Sequence, residues 1–201
     1  MSTSEIILRH LKQLEPNADF KIDLPRAISS SGQAYFVKIG SLTEEERYRG
    51  EAESLIAINA AAPGIAPKLF TYTLIPESSL PLFISEYKGI STLSSASSEK
   101  LAIRLATELH SYKSSKGFGF EVPTYCGATR LKNGWFDSWE ACYDSMIADL
   151  LSALKTKKGN EILCERGQEV RKMWVAFFDI LSQNFDLYWK CHTFLAKVSE
   201  Y

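Results

Sequence analysis

Lys38 stands between Val37 and Ile39 in the apolar, β-rich run "AYFVKI", where its neighbours favour burial. A strand ammonium of this kind can neutralise phosphate oxygens, provided a carboxylate holds it in place. Glu51, thirteen residues on in a charged segment that reads as helix, is the candidate holder. The same segment also offers Glu44, Glu45, Glu46 and Glu53, so pattern alone leaves the partner open. A solvated strand lysine beside a charged helix is the plainer reading of the pattern by itself.

Two other stretches could serve the same chemistry. Ser30, Ser31 and Gly32 lie in "ISSSGQ", whose hydroxyls and backbone N–H groups could cover phosphates. With one glycine the stretch also reads as an ordinary hairpin turn. "LFISEYKG" is an apolar strand that ends near Glu86 and Lys88. Its exit backbone could meet the edge of a flat heterocycle, or form only an exit turn. His110 closes an amphipathic helix, where an imidazolium suits the C-terminal dipole. "GFGF" lacks the spacing of a dinucleotide loop. "NGWFDSWEACYDSM" reads as the opening of a helix, with Trp135 and Trp139 on one face. Core packing explains those aromatics, and a platform for a sugar or a peptide is the alternative.

The elements that must position these residues follow from periodicity. Ile7, Leu8, Leu11 and Leu14 share a helical face over residues 4–14, closed by Pro16 and Asn17. Residues 18–40 alternate short apolar groups with turn chemistry and predict a hairpin or small meander. Residues 43–61 predict a helix with Thr43 and Glu46 at capping-box spacing. Two strands follow, in "LFTYTLI" and "PLFISEY", then a serine-rich connector and the helix "EKLAIRLATELHSY". Strands dominate before about residue 88 and helices after it. The expected division is a lobe at 1–87, a linker at 88–98 and a helical lobe at 99–201.

Composition narrows the partners. The 201 residues are 45% hydrophobic and 23% charged with net charge −1, which gives no nucleic-acid or membrane footprint. The four cysteines form no C-x-x-C pair and suit reduced thiols in a cytoplasmic protein rather than a zinc site. No apolar run approaches bilayer-spanning length, and residues 1–20 lack the pattern of a secretion signal.

In order and spacing, "YFVKI", "RGEAESL", "PLFISEY", "LATELHSYKSSKGFGF" and "YCGATRLKNGWFDSWEACY" resemble the fructosamine/ketosamine-3-kinase family, also called protein-ribulosamine 3-kinases. The resemblance covers roughly residues 34–155, with weaker helical similarity to about 182. It implies an α+β, protein-kinase-like fold: an antiparallel-sheet N-lobe of about five strands and an incomplete helical C-lobe. It implies ATP as phosphoryl donor and a ketosamine, on a glycated protein lysine or on a small molecule, as acceptor. Lys38 would bind phosphate, Glu51 would hold it, and Ser30, Ser31 and Gly32 would belong to the covering turn. The C=O of Glu86 and the N–H of Lys88 would meet the adenine.

The sequence departs from the family at the catalytic loop, His-Gly-Asp-Leu-Trp-x-Gly-Asn. His10, His110 and His192 are followed by Leu-Lys, Ser-Tyr and Thr-Phe, and no Asp-Phe-Gly or Asp-Pro pair is present. No catalytic or metal-binding residue is therefore assigned, and Mg²⁺ is expected only in a complete family member. The expectation is a chain cut short and catalytically impaired. Its region beyond about residue 155 would be poorly covered, with Trp174, Phe177, Phe178, Ile180 and Leu181 needing partners and the tail from Asn184 least ordered. The alternatives are a non-catalytic nucleotide-binding module, or a small-molecule phosphotransferase of the aminoglycoside- or choline-kinase type.

Overall fold

The computed structural model describes residues 2–183, with the backbone alone from 175 to 183. The expectations for the tail from Asn184, and for the side chains of Phe177, Phe178, Ile180 and Leu181, lie outside the described residues. The chain divides into two compact units, one of residues 1–112 and one from Lys113 onward.

The first unit is built on a five-stranded antiparallel sheet. Helix α1 (Thr3–Leu14) opens with a capping box between Ser2 and Glu5. Strands β1 (Phe20–Asp23), β2 (Arg26–Ser29) and β3 (Ala34–Ile39) form the expected meander. A 3₁₀ turn at Leu42–Glu44 leads into α2 (Glu45–Ala61), followed by β4 (Leu69–Leu74) and β5 (Pro81–Glu86). The sheet order is β1-β2-β3-β5-β4, which puts the almost wholly buried β5 between β3 and β4.

The strands alternate between two apolar layers, as the pleat dictates. Tyr35, Val37, Leu82 and Ile84 join Ile6, Ile7 and Leu11 of α1 in the main core. On the other layer Phe83 meets Tyr48 and Ala52 of α2, with Phe36 packed against them. Ile6 takes the buried place in α1 that the sequence assigned to Leu8, which is exposed. The cap ahead of α2 is Ser41 with Glu44, not Thr43 with Glu46. Glu44 Oε2 accepts from the Ser41 N–H at 2.9 Å, which starts the turn two residues early.

Helix α3 (Ser95–Arg104) starts ahead of residue 99, because the Ser94 hydroxyl accepts from the Ser97 N–H. A π-helical turn (Leu105–Leu109) continues it.

The second unit is not purely helical, in contrast to the sequence reading. Strands β6 (Phe118–Phe120) and β9 (Gly134–Phe136) pair, as do β7 (Thr124–Cys126) and β8 (Thr129–Leu131). Each is three residues long; positive φ at Gly117, Gly127 and Asn133 turns the chain at their ends, and Gly119 and Gly134 carry positive φ within β6 and β9. Trp135 lies on β9 and Trp139 opens α4 (Trp139–Lys155), so they do not share one helix face. Helix α5 (Glu161–Gln183) packs on α4, where Arg171 makes a two-pronged ion pair with Asp144 at 2.7 and 2.6 Å.

Candidate functional site

The pleat explains the position of Lys38. Val37 points to the α1 layer, so Lys38 points to the α2 layer, opposite Phe83 in the register. There its ammonium lies 4.6 Å from the ring centroids of both Tyr48 and Phe83. Two aromatic faces shield the cation and attract it electrostatically. Helix α2 turns Glu51, one turn after Tyr48, onto the same spot, and Glu51 Oε2 pairs with Lys38 Nζ. The lysine side chain is 24% exposed and the glutamate 42%, so the charge is oriented yet still reachable.

Two other glutamates of this segment are committed elsewhere. Glu44 is held below the usual carboxylate range by the N–H and hydroxyl of Ser41, with Arg47 and Lys38 adding weaker attraction. Glu45 accepts from the Tyr72 hydroxyl at 3.1 Å, tying α2 to β4. Burial, then the charges of Glu44 and Glu51, push the Tyr48 phenol up, so it remains neutral beneath the lysine.

The strand exit lies on the same sheet. Glu86 is opposite Tyr35 and Lys38 is opposite Phe83, a separation of about 10 Å along the strands. The chain leaves β5 with the Tyr87 N–H donating to the Ala34 C=O at 3.2 Å. Lys88 Nζ folds back onto Glu86 at 2.6 Å and holds that carboxyl below its usual range.

Ser30, Ser31 and Gly32 are not brought to Lys38. They form the β2–β3 turn, at the opposite end of β3 and about 13 Å along the strand. Their N–H groups donate to Asp19 C=O, Ser29 Oγ and Ser29 C=O at 2.8, 3.1 and 3.0 Å. Glu15 anchors the turn by accepting from Ser29 at 3.2 Å and from the Tyr35 hydroxyl at 2.5 Å. The turn level with Lys38 is instead the β1–β2 connection through Leu24 and Pro25, where the Pro25 C=O accepts from the Val37 N–H at 2.8 Å. Sequence reasoning missed it because it carries neither glycine nor serine; only the strand register reveals it.

Among the described residues no three His, Cys, Asp or Glu side chains come together to hold a metal ion. No described helix is long and apolar enough to cross a membrane. His110 caps the π-helical turn through its N–H to the Leu105 C=O at 2.9 Å.

A five-stranded antiparallel sheet whose third strand presents a lysine to a glutamate on the following helix has the arrangement of a protein-kinase-like phosphotransferase lobe. Residues 9–183 match the fructosamine kinase family, and the chain belongs to that family. Among solved structures it is similar to a protein assigned as a fructosamine-3-kinase from Haemophilus somnus 129PT, with 20% identity and TM-score 0.61, covering 83% of this chain and 59% of that one. A second, from Thermobifida fusca YX-ER1, has 16% identity and TM-score 0.56, covering 82% of this chain and 57% of that one. The chain thus spans less than two thirds of the length of these structures, and the likeness shows the protein-kinase-like fold. None of the curated proteins matches the chain.

Proposed function

We propose that this chain is the nucleotide-handling part of a ketosamine 3-kinase, an enzyme that moves the γ-phosphoryl of ATP to a ketosamine on a glycated lysine or small molecule. The observation that carries this reading is the Lys38 ammonium, fixed by Glu51 between the rings of Tyr48 and Phe83. Lys38 would bind phosphate oxygens and Glu51 would orient it. The backbone at Glu86 and Lys88 would meet the base, and the Leu24–Pro25 turn would lie over the phosphates. The separation of about 10 Å between the strand exit and Lys38 suits a nucleoside with its first phosphates. Family membership supports ATP as the donor.

The sequence carries no His-Gly-Asp block, so the chemistry that needs a catalytic aspartate is not assigned to these residues. The 201-residue chain should therefore bind nucleotide without transferring phosphate. Calorimetric titration with ATP is the test of binding. Lys38→Ala should weaken affinity at least tenfold and Glu51→Gln severalfold; equal affinity in all three proteins would overturn the site. Phosphate incorporation into a ribuloselysine peptide is the separate test of transfer. Turnover that vanishes on Lys38→Ala would show that the chain is an active kinase by itself.

A further inference from the structure

The second unit holds a cavity of about 240 Å³ between the β6–β9 strand pair and α4, independent of the Lys38 site. Phe120, Phe136, Trp139 and Met146 supply its apolar wall, and the buried Cys142 also lines it. Burial pushes the Cys142 thiol up, so it is an inert surface rather than a nucleophile. The wall has a single anionic point, Asp149, whose side chain is only 21% exposed. The ammonium of Lys132 reaches that carboxylate at 2.6 Å from the turn ahead of β9. Lys132 itself is 65% exposed, and an ion pair to so exposed a partner is weak.

A sheltered carboxylate beside aromatic faces, covered by an ammonium that can swing away, selects for another ammonium. We propose that this cavity binds a small amine with an apolar body. The amine's body would lie along Phe136, Trp139 and Met146, and its protonated nitrogen would take the place of Lys132 on Asp149. Rigid backbone supports the shape: Asn133 at φ 58° donates through its side-chain amide to the Val122 C=O at 2.8 Å and to the Thr124 hydroxyl at 2.9 Å. Lys132 is thereby an internal competitor, and this gives the proposal a signature that a merely structural ion pair lacks.

The test is nuclear magnetic resonance titration of the full chain with benzylamine, and with benzyl alcohol and benzoate as isosteric controls. Benzylamine should shift amide signals at residues 119, 134, 142 and 146 saturably, while benzoate leaves them unmoved. Asp149→Asn should weaken benzylamine binding about tenfold and bring it level with benzyl alcohol. Lys132→Ala should strengthen it severalfold by removing the competitor. Equal binding of amine and carboxylate, no saturable binding, or a Lys132→Ala protein that loses thermal stability without gaining affinity would each overturn the proposal. The last of these would mark the pair as a staple between turn and helix.

Discussion

Lys38 shows how far one residue can be read and where the reading stops. An ammonium between Val37 and Ile39 is explained by strand alternation, which sends neighbours to opposite layers. That much was legible in the sequence. Which of five glutamates would meet it was not, because the answer depends on the rotation of α2, and the structure settles it on Glu51. The Ser30–Gly32 turn misled for a related reason: its chemistry suits phosphate, but strand register places it at the far end of β3. The same corner tests packing. A Cβ on Gly40 would lie 2.9 Å from two Tyr48 ring carbons and 3.0 Å from Pro81 Cγ. Tyr48 is buried under the Lys38 ammonium and cannot yield without disturbing it. Gly40→Ala should therefore cost about 1–3 kcal/mol in urea unfolding. It should also weaken ATP binding with Lys38 unchanged; a protein of wild-type stability would show that the contact is slack.

At the level of elements, length decided what could be read. The helices and the strands of four to six residues carry enough periodicity to declare themselves, and the meander, α2, β4 and β5 follow the pattern. The three-residue strands of the second unit do not, since half a pleat has no alternation to detect. Their glycines were the available signal. Gly119 has φ 137°, and a Cβ there would lie 1.7 Å from the Gly134 C=O oxygen on the paired strand. That neighbour is backbone, so no rotamer relieves the clash, and a left-handed φ adds strain for any other residue. Gly119→Ala should separate β6 from β9 and lower the stability of the second unit by more than about 2 kcal/mol. Gly64→Ala, also at positive φ but with open space around the new methyl, should cost only the backbone strain, about 1–2 kcal/mol. Amide exchange at residues 118–120 and 134–136 would separate the two outcomes. Retained protection in Gly119→Ala would contradict the assigned pairing.

For the whole molecule, the charges that join elements set a pH window for stability. Glu15 is held below its usual range by the Tyr35 and Ser31 hydroxyls, and Glu77 by Arg9. Asp144 is held down by Arg171 in the second unit. A depressed carboxylate stabilises the fold above its unfolded value, 4.5 for glutamate and 3.8 for aspartate, and that support is lost as pH falls through the folded value. His10 acts earlier. Burial and the neighbouring Arg9 charge lower its pKa from 6.5, so protonation favours the unfolded chain once pH falls below that point. On the alkaline side burial raises Tyr35, and burial with the Glu45 hydrogen bond pushes Tyr72 up to about 12. Those phenols support the fold fully below their unfolded value of 10.0, and the support is lost as pH rises through the folded values. Thermal unfolding should show a plateau from about pH 6.5 to 9.5, bounded by two declines with separate causes. His10→Gln should remove the first acid step, which begins as pH falls below 6.5, and leave the carboxylate step below 4.5 in place. Tyr72→Phe should flatten part of the alkaline decline without touching the acid one. Because the chain has two compact units, melting is best followed by probes in each. His10, Glu15, Glu77 and Tyr72 belong to the first unit, and their effects should appear in its transition alone, while Arg171→Met should move only the second. A His10→Gln protein whose second unit lost its acid step would show that the two units unfold as one.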